Sequence, residues 1–251
     1  MSSPPSARAV RQYAAGTGNL TARIALHAYG TNPQDWFAWL AEQLPLGGDV
    51  LDIGAGTGEL WRRVDPVRRG LRLTLADFSP AMCAQLRTVP GARVQRCDAT
   101  ALPFRDASFD TVVANHMLYH LDDPDRGLRE FARVLRPGGR LAVTTNGGDH
   151  LAELNALRAA VGSPGLTLTG FTAESGPGYV ARHFTDVTVR RRPGELAVPS
   201  AEPILAYLAS LAEQPLSAAQ ASAVRERIRV GADSTGDFRI RQHSVLITAR
   251  R

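Results

Sequence analysis

The chain has 251 residues, 44% of them hydrophobic and 21% charged, which suits one large domain or a domain with a small cap and excludes a disordered, collagen-like or coiled-coil chain. Its 29 basic residues outnumber 24 acidic ones for a net charge of +5, and every basic residue is arginine, so lysine Schiff-base chemistry and lysine-dependent phosphate loops are excluded. These arginines are scattered rather than gathered into a stripe with interleaved aromatics, so nucleic acid is not an expected partner.

The N-terminal MSSPPSARAV lacks the apolar core of a secretory signal, and no apolar run approaches the ~18 residues that cross a bilayer. A cytoplasmic protein without a membrane partner is expected. Two helices come first: Leu20 to Tyr29, with Leu20, Ile24 and Ala28 on one face, and Pro33 to Leu44, carrying Trp36, Phe37, Trp39 and Leu40. Pro45 and the Gly47-Gly48 pair end this section. Short apolar runs then alternate with helical stretches. The runs are Val50–Ile53, Leu71–Leu75, Ala92–Arg96, Thr111–Ala114 and Leu141–Thr144; the helices are Thr57–Val64, Pro80–Thr88 and Asp125–Leu135, the last ended by Arg136-Pro137-Gly138-Gly139. This alternation predicts βαβ units, hence an α/β fold with a doubly wound parallel sheet. Past residue 146 the spacing predicts helices over His150–Val161, Ala201–Leu211 and Ser217–Ile228, and strands over Phe184–Arg190 and Ser244–Ala249. The stretch 195–240 is longer than an ordinary connection and is expected to form a helical cap.

The informative stretch is Val50-Leu51-Asp52-Ile53-Gly54-Ala55-Gly56-Thr57-Gly58, a glycine-rich turn between a buried strand and a helix. Ligands of doubly wound sheets bind outside the carboxyl ends of strands, where glycines let the backbone approach closely. A dinucleotide fingerprint needs a third glycine at the position of Glu59, and carboxylates at Asp52 and Glu59 oppose a pyrophosphate. Asp52 suits a cationic amino group instead. Asp77 and Asp98 then end the second and third strands. A carboxylate at the first of these can accept from both ribose hydroxyls, and one at the second from an exocyclic adenine amine.

With VLDIGAGTG, LADFSPAM, RCDATALPF and SFDTVVANHMLYHLDDPDRGLREFARVLRPGGRLAVTTNG in this order, residues 48–148 resemble a class I S-adenosylmethionine-dependent methyltransferase. The resemblance implies a Rossmann-like seven-stranded sheet whose last strand, Ser244–Ala249, is antiparallel. It implies that Asp52, Gly54, Ala55 and Gly56 line the methionine part of S-adenosylmethionine. Asp77 would hold the ribose, Phe78 and Met82 would flank the nucleoside, Asp98 and Ala99 would frame adenine, and Asn115 and His116 would lie beside the sulfonium. The expected division is a helical lid over 1–46, the cofactor-binding core over 47–194, the helical cap insertion over 195–240 and a final core strand over 241–251.

Methyl transfer from a sulfonium is an in-line displacement that mainly needs alignment and exclusion of water. A general base adds ~10²–10⁴-fold where the acceptor loses a proton. His116 is the candidate base, and Tyr119 either orients substrate or packs. Arg23 and His27 share a helix face; either they close over the cofactor, with Arg23 on its carboxylate, or they are a surface arginine and a packed histidine. Trp36, Phe37 and Trp39 form lid core or an aromatic wall beside the sulfonium. Tyr179, in a Gly/Pro-rich stretch, is a further pocket candidate, and His150 either reaches a catalyst position or is a helix-start residue. His116 and His120 lack the glutamate of H-E-x-x-H and a third ligand, and Cys83 and Cys97 lack metal spacing, so no metal is expected. The expected activity is methylation of a small molecule, a secondary metabolite. The alternatives are a non-methylating use of the cofactor, such as its intramolecular cyclisation, and a cofactor-binding interaction protein; a nicotinamide dehydrogenase is opposed by Glu59.

Overall fold

The computed structural model describes residues 25–162, 170–212 and 214–251. Among them, no helix is long and apolar enough to cross a membrane. Nine strands are formed among these residues: β1 (Asp49–Ile53), β2 (Arg72–Asp77), β3 (Arg93–Arg96), β4 (Phe109–Asn115), β5 (Leu135–Asn146), β6 (Thr185–Arg192), β7 (Glu195–Val198), β8 (Phe238–Arg241) and β9 (Ser244–Arg250). Seven of them make one sheet in the order β3-β2-β1-β4-β5-β9-β6. The first five are parallel, and β9 runs antiparallel to both β5 and β6, as the resemblance implies. The strand order reverses between β1 and β4, so their carboxyl ends open a crevice there.

Both faces of the sheet are covered, which explains the nearly continuous apolar runs. The helices α1 (Trp36–Gln43), α2 (Glu59–Val64) and α3 (Pro80–Leu86) bury Leu40, Trp61 and Leu86 against Val50, Leu73, Leu75 and Val113. On the other face α4 (Pro124–Val134) and the short α6 (Gly176–Val180) bury Leu128, Phe131 and Val180 against Leu51, Val112, Leu141 and Ile247. Cys83 and Cys97 are free thiols, and burial pushes Cys97 up to about 11.

A separate apolar cluster lies at the far end of the chain's long insertion. There α5 (Ala152–Ala160), α7 (Ala201–Ala209) and α8 (Ala218–Gly231) pack Leu154, Ile204, Tyr207 and Val224 onto Leu196, Val198, Phe238 and Ile240 of an antiparallel β7–β8 pair. The stretch expected to form a helical cap therefore carries a strand at each end. Of the helix expected over Leu20–Tyr29, residues 20–24 lie outside the described residues; Ala25 and Leu26 are helical and run into a tight turn over His27–Tyr29. The next helix starts at Trp36 rather than Pro33, because the Asp35 side chain caps it by accepting from the Phe37 and Ala38 amides. Leu26 is buried in the second cluster and Leu40 in the first. Between them Thr31 N–H donates to the Glu195 carbonyl at 2.8 Å, Asn32 Nδ2 to the Pro193 carbonyl at 2.9 Å, and Arg192 to the Gln34 carbonyl. This strap ties residues 31–34 to the β6–β7 connection.

Candidate active site

The glycine loop is shaped by its backbone. Gly54, Gly56 and Gly58 have φ of 69°, 58° and 77°, the left-handed region that disfavours a Cβ. The Gly54 and Ala55 amides both donate to the Ala76 carbonyl, at 2.8 and 3.1 Å, tying the loop to the end of β2. A Cβ on Gly54 would lie 2.7 Å from the Met117 Cβ, whereas one on Gly56 would meet nothing within 4 Å. Gly54 therefore lets the loop pack down, and Gly56 leaves open space above it. Gly54→Ala is expected to destabilise the fold by about 2–4 kcal/mol, from left-handed strain plus overpacking. A urea melt checks this.

Two carboxylates flank the loop. Asp77 Oδ2 accepts the Gly56 amide at 3.0 Å and Oδ1 the Ser79 amide at 2.8 Å. Burial raises its protonation above the usual carboxylate range against the pull of these amides. Asp52 points to the face packed by α2, where Oδ2 accepts from Trp61 Nε1 at 2.6 Å, while Oδ1 is buried with no hydrogen-bond partner. Burial pushes Asp52 up to about 7, opposed by the Trp61 hydrogen bond and reinforced by the nearby Asp77 charge. An orphaned, buried carboxylate oxygen is complemented by a cation. It fits the amino group of the expected cofactor.

At the end of β4 the buried Thr144 hydroxyl donates to Asn115 Oδ1 at 2.6 Å and accepts the His116 amide at 2.9 Å. This latch holds His116 at a φ of 52°, unusual for a residue with a side chain. Its Nδ1 is buried without a partner, and burial, with His27 and His120 nearby, lowers its pKa to about 4. The His116 ring lies 4.9 Å from Trp36, whose Nε1 is likewise buried and unpartnered, and 6.2 Å from Tyr119. Three orphaned polar atoms thus lie on Asp52 of β1, Trp36 of α1 and His116, the residue that follows β4.

Other expected residues fall into two groups. Phe78 is 56% exposed with Arg96 5.8 Å over its ring, while Met82 and Ala99 are buried. Asp98 is exposed, and its Oδ1 is occupied by the Thr100 amide and hydroxyl, both at 2.8 Å. Arg23 lies outside the described residues. Tyr179 packs on Phe171, with Arg182 4.7 Å over its ring, so it belongs to the core face. His120 sits in a tight turn and shares no helix face with His116; among the described residues the pair joins no third ligand.

Sequence reasoning missed Trp61, Thr144, Asp149 and His243. Only the tryptophan carried a local signal, lying nine residues after Asp52 on the adjoining helix. His243 Nδ1 lies 2.5 Å from Asp149 Oδ1, and its backbone amide donates to His150 Nδ1 at 3.0 Å. His27 Nδ1 meets Gln242 Nε2 at 3.2 Å. The turn 242–243 thereby braces two histidines of different segments, and both act electrostatically on or with His116.

The family comparisons agree with this arrangement. Residues 51–143 match the methyltransferase domain family. The chain is 33% identical over 184 residues to a demethylmenaquinone methyltransferase of Beutenbergia cavernae, covering 73% of this chain and 70% of that protein. In fold it is similar to YcgJ of Bacillus subtilis, with a TM-score of 0.58 and 18% identity over 86% of this chain and 97% of that one. It is also similar to phosphoethanolamine N-methyltransferase 2 of Haemonchus contortus in complex with S-adenosylmethionine, with a TM-score of 0.56 and 20% identity over 92% of this chain and 56% of that one. A glycine loop at the switch point of a seven-stranded sheet, a buried carboxylate beside it and these likenesses lead to one conclusion: the chain belongs to the class I S-adenosylmethionine-dependent methyltransferases.

Proposed function

We propose that this enzyme methylates a small organic molecule held between the sheet edge and the β7–β8 cap. One observation carries the reading: Asp52 Oδ1, on the strand that leads into the glycine loop, and His116 Nδ1 and Trp36 Nε1, whose rings lie 4.9 Å apart, are buried and unpartnered. Such groups need complementary ligand atoms, because each costs about 1–3 kcal/mol when left unsatisfied. The relatives named above for demethylmenaquinone and phosphoethanolamine support a small-molecule acceptor rather than a macromolecular one.

S-adenosylmethionine supplies an activated methyl group when bound. The chain's residues do the rest. Asp52 with Gly54, Ala55 and Gly56 would hold its amino-acid end, Asp77 its ribose, and Phe78, Met82, Asp98 and Ala99 its adenine. Arg23 remains a candidate for its carboxylate. Asn115 and His116 would border the sulfonium, and Trp36 and Tyr119 would close the chamber against water. Alignment is worth about 7–11 kcal/mol at best, more than the ~10²–10⁴-fold of a base. His116, depressed to about 4, is neutral throughout the physiological range but a weak base. Positioning therefore carries most of the rate.

The test is incubation with tritiated-methyl S-adenosylmethionine and a panel of phenols, enols and amines. Tritium in an extractable product with matching S-adenosylhomocysteine is expected. Methylthioadenosine as the sole nucleoside product would replace the reading by a non-methylating use of the cofactor.

A further inference from the structure

His150 follows the Gly147–Asp149 turn that ends β5, and its ring is fixed by an unambiguous contact. Nδ1 accepts the backbone N–H of His243 at 3.0 Å. A backbone amide only donates, so Nδ1 holds the lone pair, and the proton of the neutral ring sits on Nε2. Protonating Nδ1 would set two N–H groups against each other. The groups facing the ring agree: burial, then His116, His27 and His243, lower its pKa to about 3, with only Asp149 opposing. His243 is itself held by Asp149 at 2.5 Å and lies against Gly147, where a Cβ would run into its ring. Among the described residues, Nε2 of His150 has no hydrogen-bond partner.

We propose that His150 Nε2–H is a fixed hydrogen-bond donor to the methyl acceptor, so that the substrate presents an oxygen lone pair or oxyanion, as a phenol, enol or 1,3-dicarbonyl does, rather than an ammonium group. This rests on the methyl-transfer reading above and names its substrate class. The Trp36 Nε1–H beside His116 is a second unpartnered donor at the same edge. Two N–H donors and neutral imidazoles complement oxygen and oppose a cation.

The probe is 4-nitrophenol, titrated into protein saturated with S-adenosylhomocysteine and followed by its phenolate absorbance. Binding with a lowered phenol pKa is expected. His150→Leu should weaken it at least tenfold, and His150→Gln, which keeps an N–H donor, should retain most of it. Calorimetric affinity for S-adenosylhomocysteine should be unchanged in both variants. Equal binding by wild type and His150→Leu, no binding by wild type, or equal binding of benzylamine would overturn the proposal. Failure of S-adenosylhomocysteine itself to bind would instead remove the methyl-transfer reading beneath it. If His150→Leu does not fold, long-range ¹⁵N spectra of the wild type decide. A neutral Nε2–H pattern unchanged from pH 5.5 to 8 is expected, and an Nδ1–H tautomer or a titrating ring overturns the proposal.

Discussion

Asp77→Ala is expected to weaken S-adenosylmethionine binding by about 5- to 150-fold, the 1–3 kcal/mol of a lost buried partner, and to lower stability as well. The side chain has two duties. Its oxygens already accept the Gly56 and Ser79 amides, at 3.0 and 2.8 Å, which sets the height of the glycine loop above β2. Each oxygen keeps a second lone pair, and in the proposed reading those would meet the ribose hydroxyls. Alanine leaves both amides without their charged acceptor, so a loss of about 1–2 kcal/mol in urea melts should accompany the loss of affinity. Asparagine is no conservative substitute, because its NH₂ would confront one of the two amides. Calorimetric titration of the folded variant separates the duties: reduced stability with unaltered affinity would leave Asp77 a loop clamp and nothing more.

The glycine loop of the candidate site was legible in the sequence because it is built from consecutive residues. Val50, Leu51 and Ile53 are apolar for burial on both faces, and the glycines follow because the loop needs left-handed backbone at Gly54, Gly56 and Gly58. The proposed acceptor half draws on segments distant in sequence. His243 and Asp149 are 94 residues apart, and nothing local to either predicts their pairing. The strands β7 and β8 have four residues each, with only Leu196, Val198, Phe238 and Ile240 buried, too few alternations to stand out from loop. The helix α6 contains Gly176, Pro177 and Gly178, which local propensity assigns to a turn; packing of Val180 onto the core overrides it. The ring orientation of His150 was not legible, because it is set by the His243 amide, 93 residues away in sequence.

Asp52→Asn should stabilise the cofactor-free protein at pH 8 while weakening its grip on the cofactor at least tenfold. The sign follows from the two protonation equilibria. Asp52 titrates near 3.8 in the open chain and at about 7 when buried in the fold. Between those values the folded state binds more protons, so stability is greatest below the lower value and declines as pH rises towards the upper one. About three units at 1.36 kcal/mol each make this cost on the order of 4 kcal/mol above pH 7. An amide carries no such cost, although its NH₂ lacks a partner, so a gain of several degrees in Tm and a flatter pH dependence from 4 to 7 are expected from scanning calorimetry. The cofactor's ammonium group acts the other way. It needs the ionised carboxylate, so in the wild type binding should release a proton and weaken about tenfold per unit as pH falls from 7 to 5. In Asp52→Asn that slope should vanish. Titrations in two buffers of different ionisation enthalpy measure the released proton directly. An affinity constant from pH 5 to 7 would mean that the cation lies elsewhere and that Asp52 serves only Trp61, since a carboxylate facing the ammonium cannot escape the competition with protons.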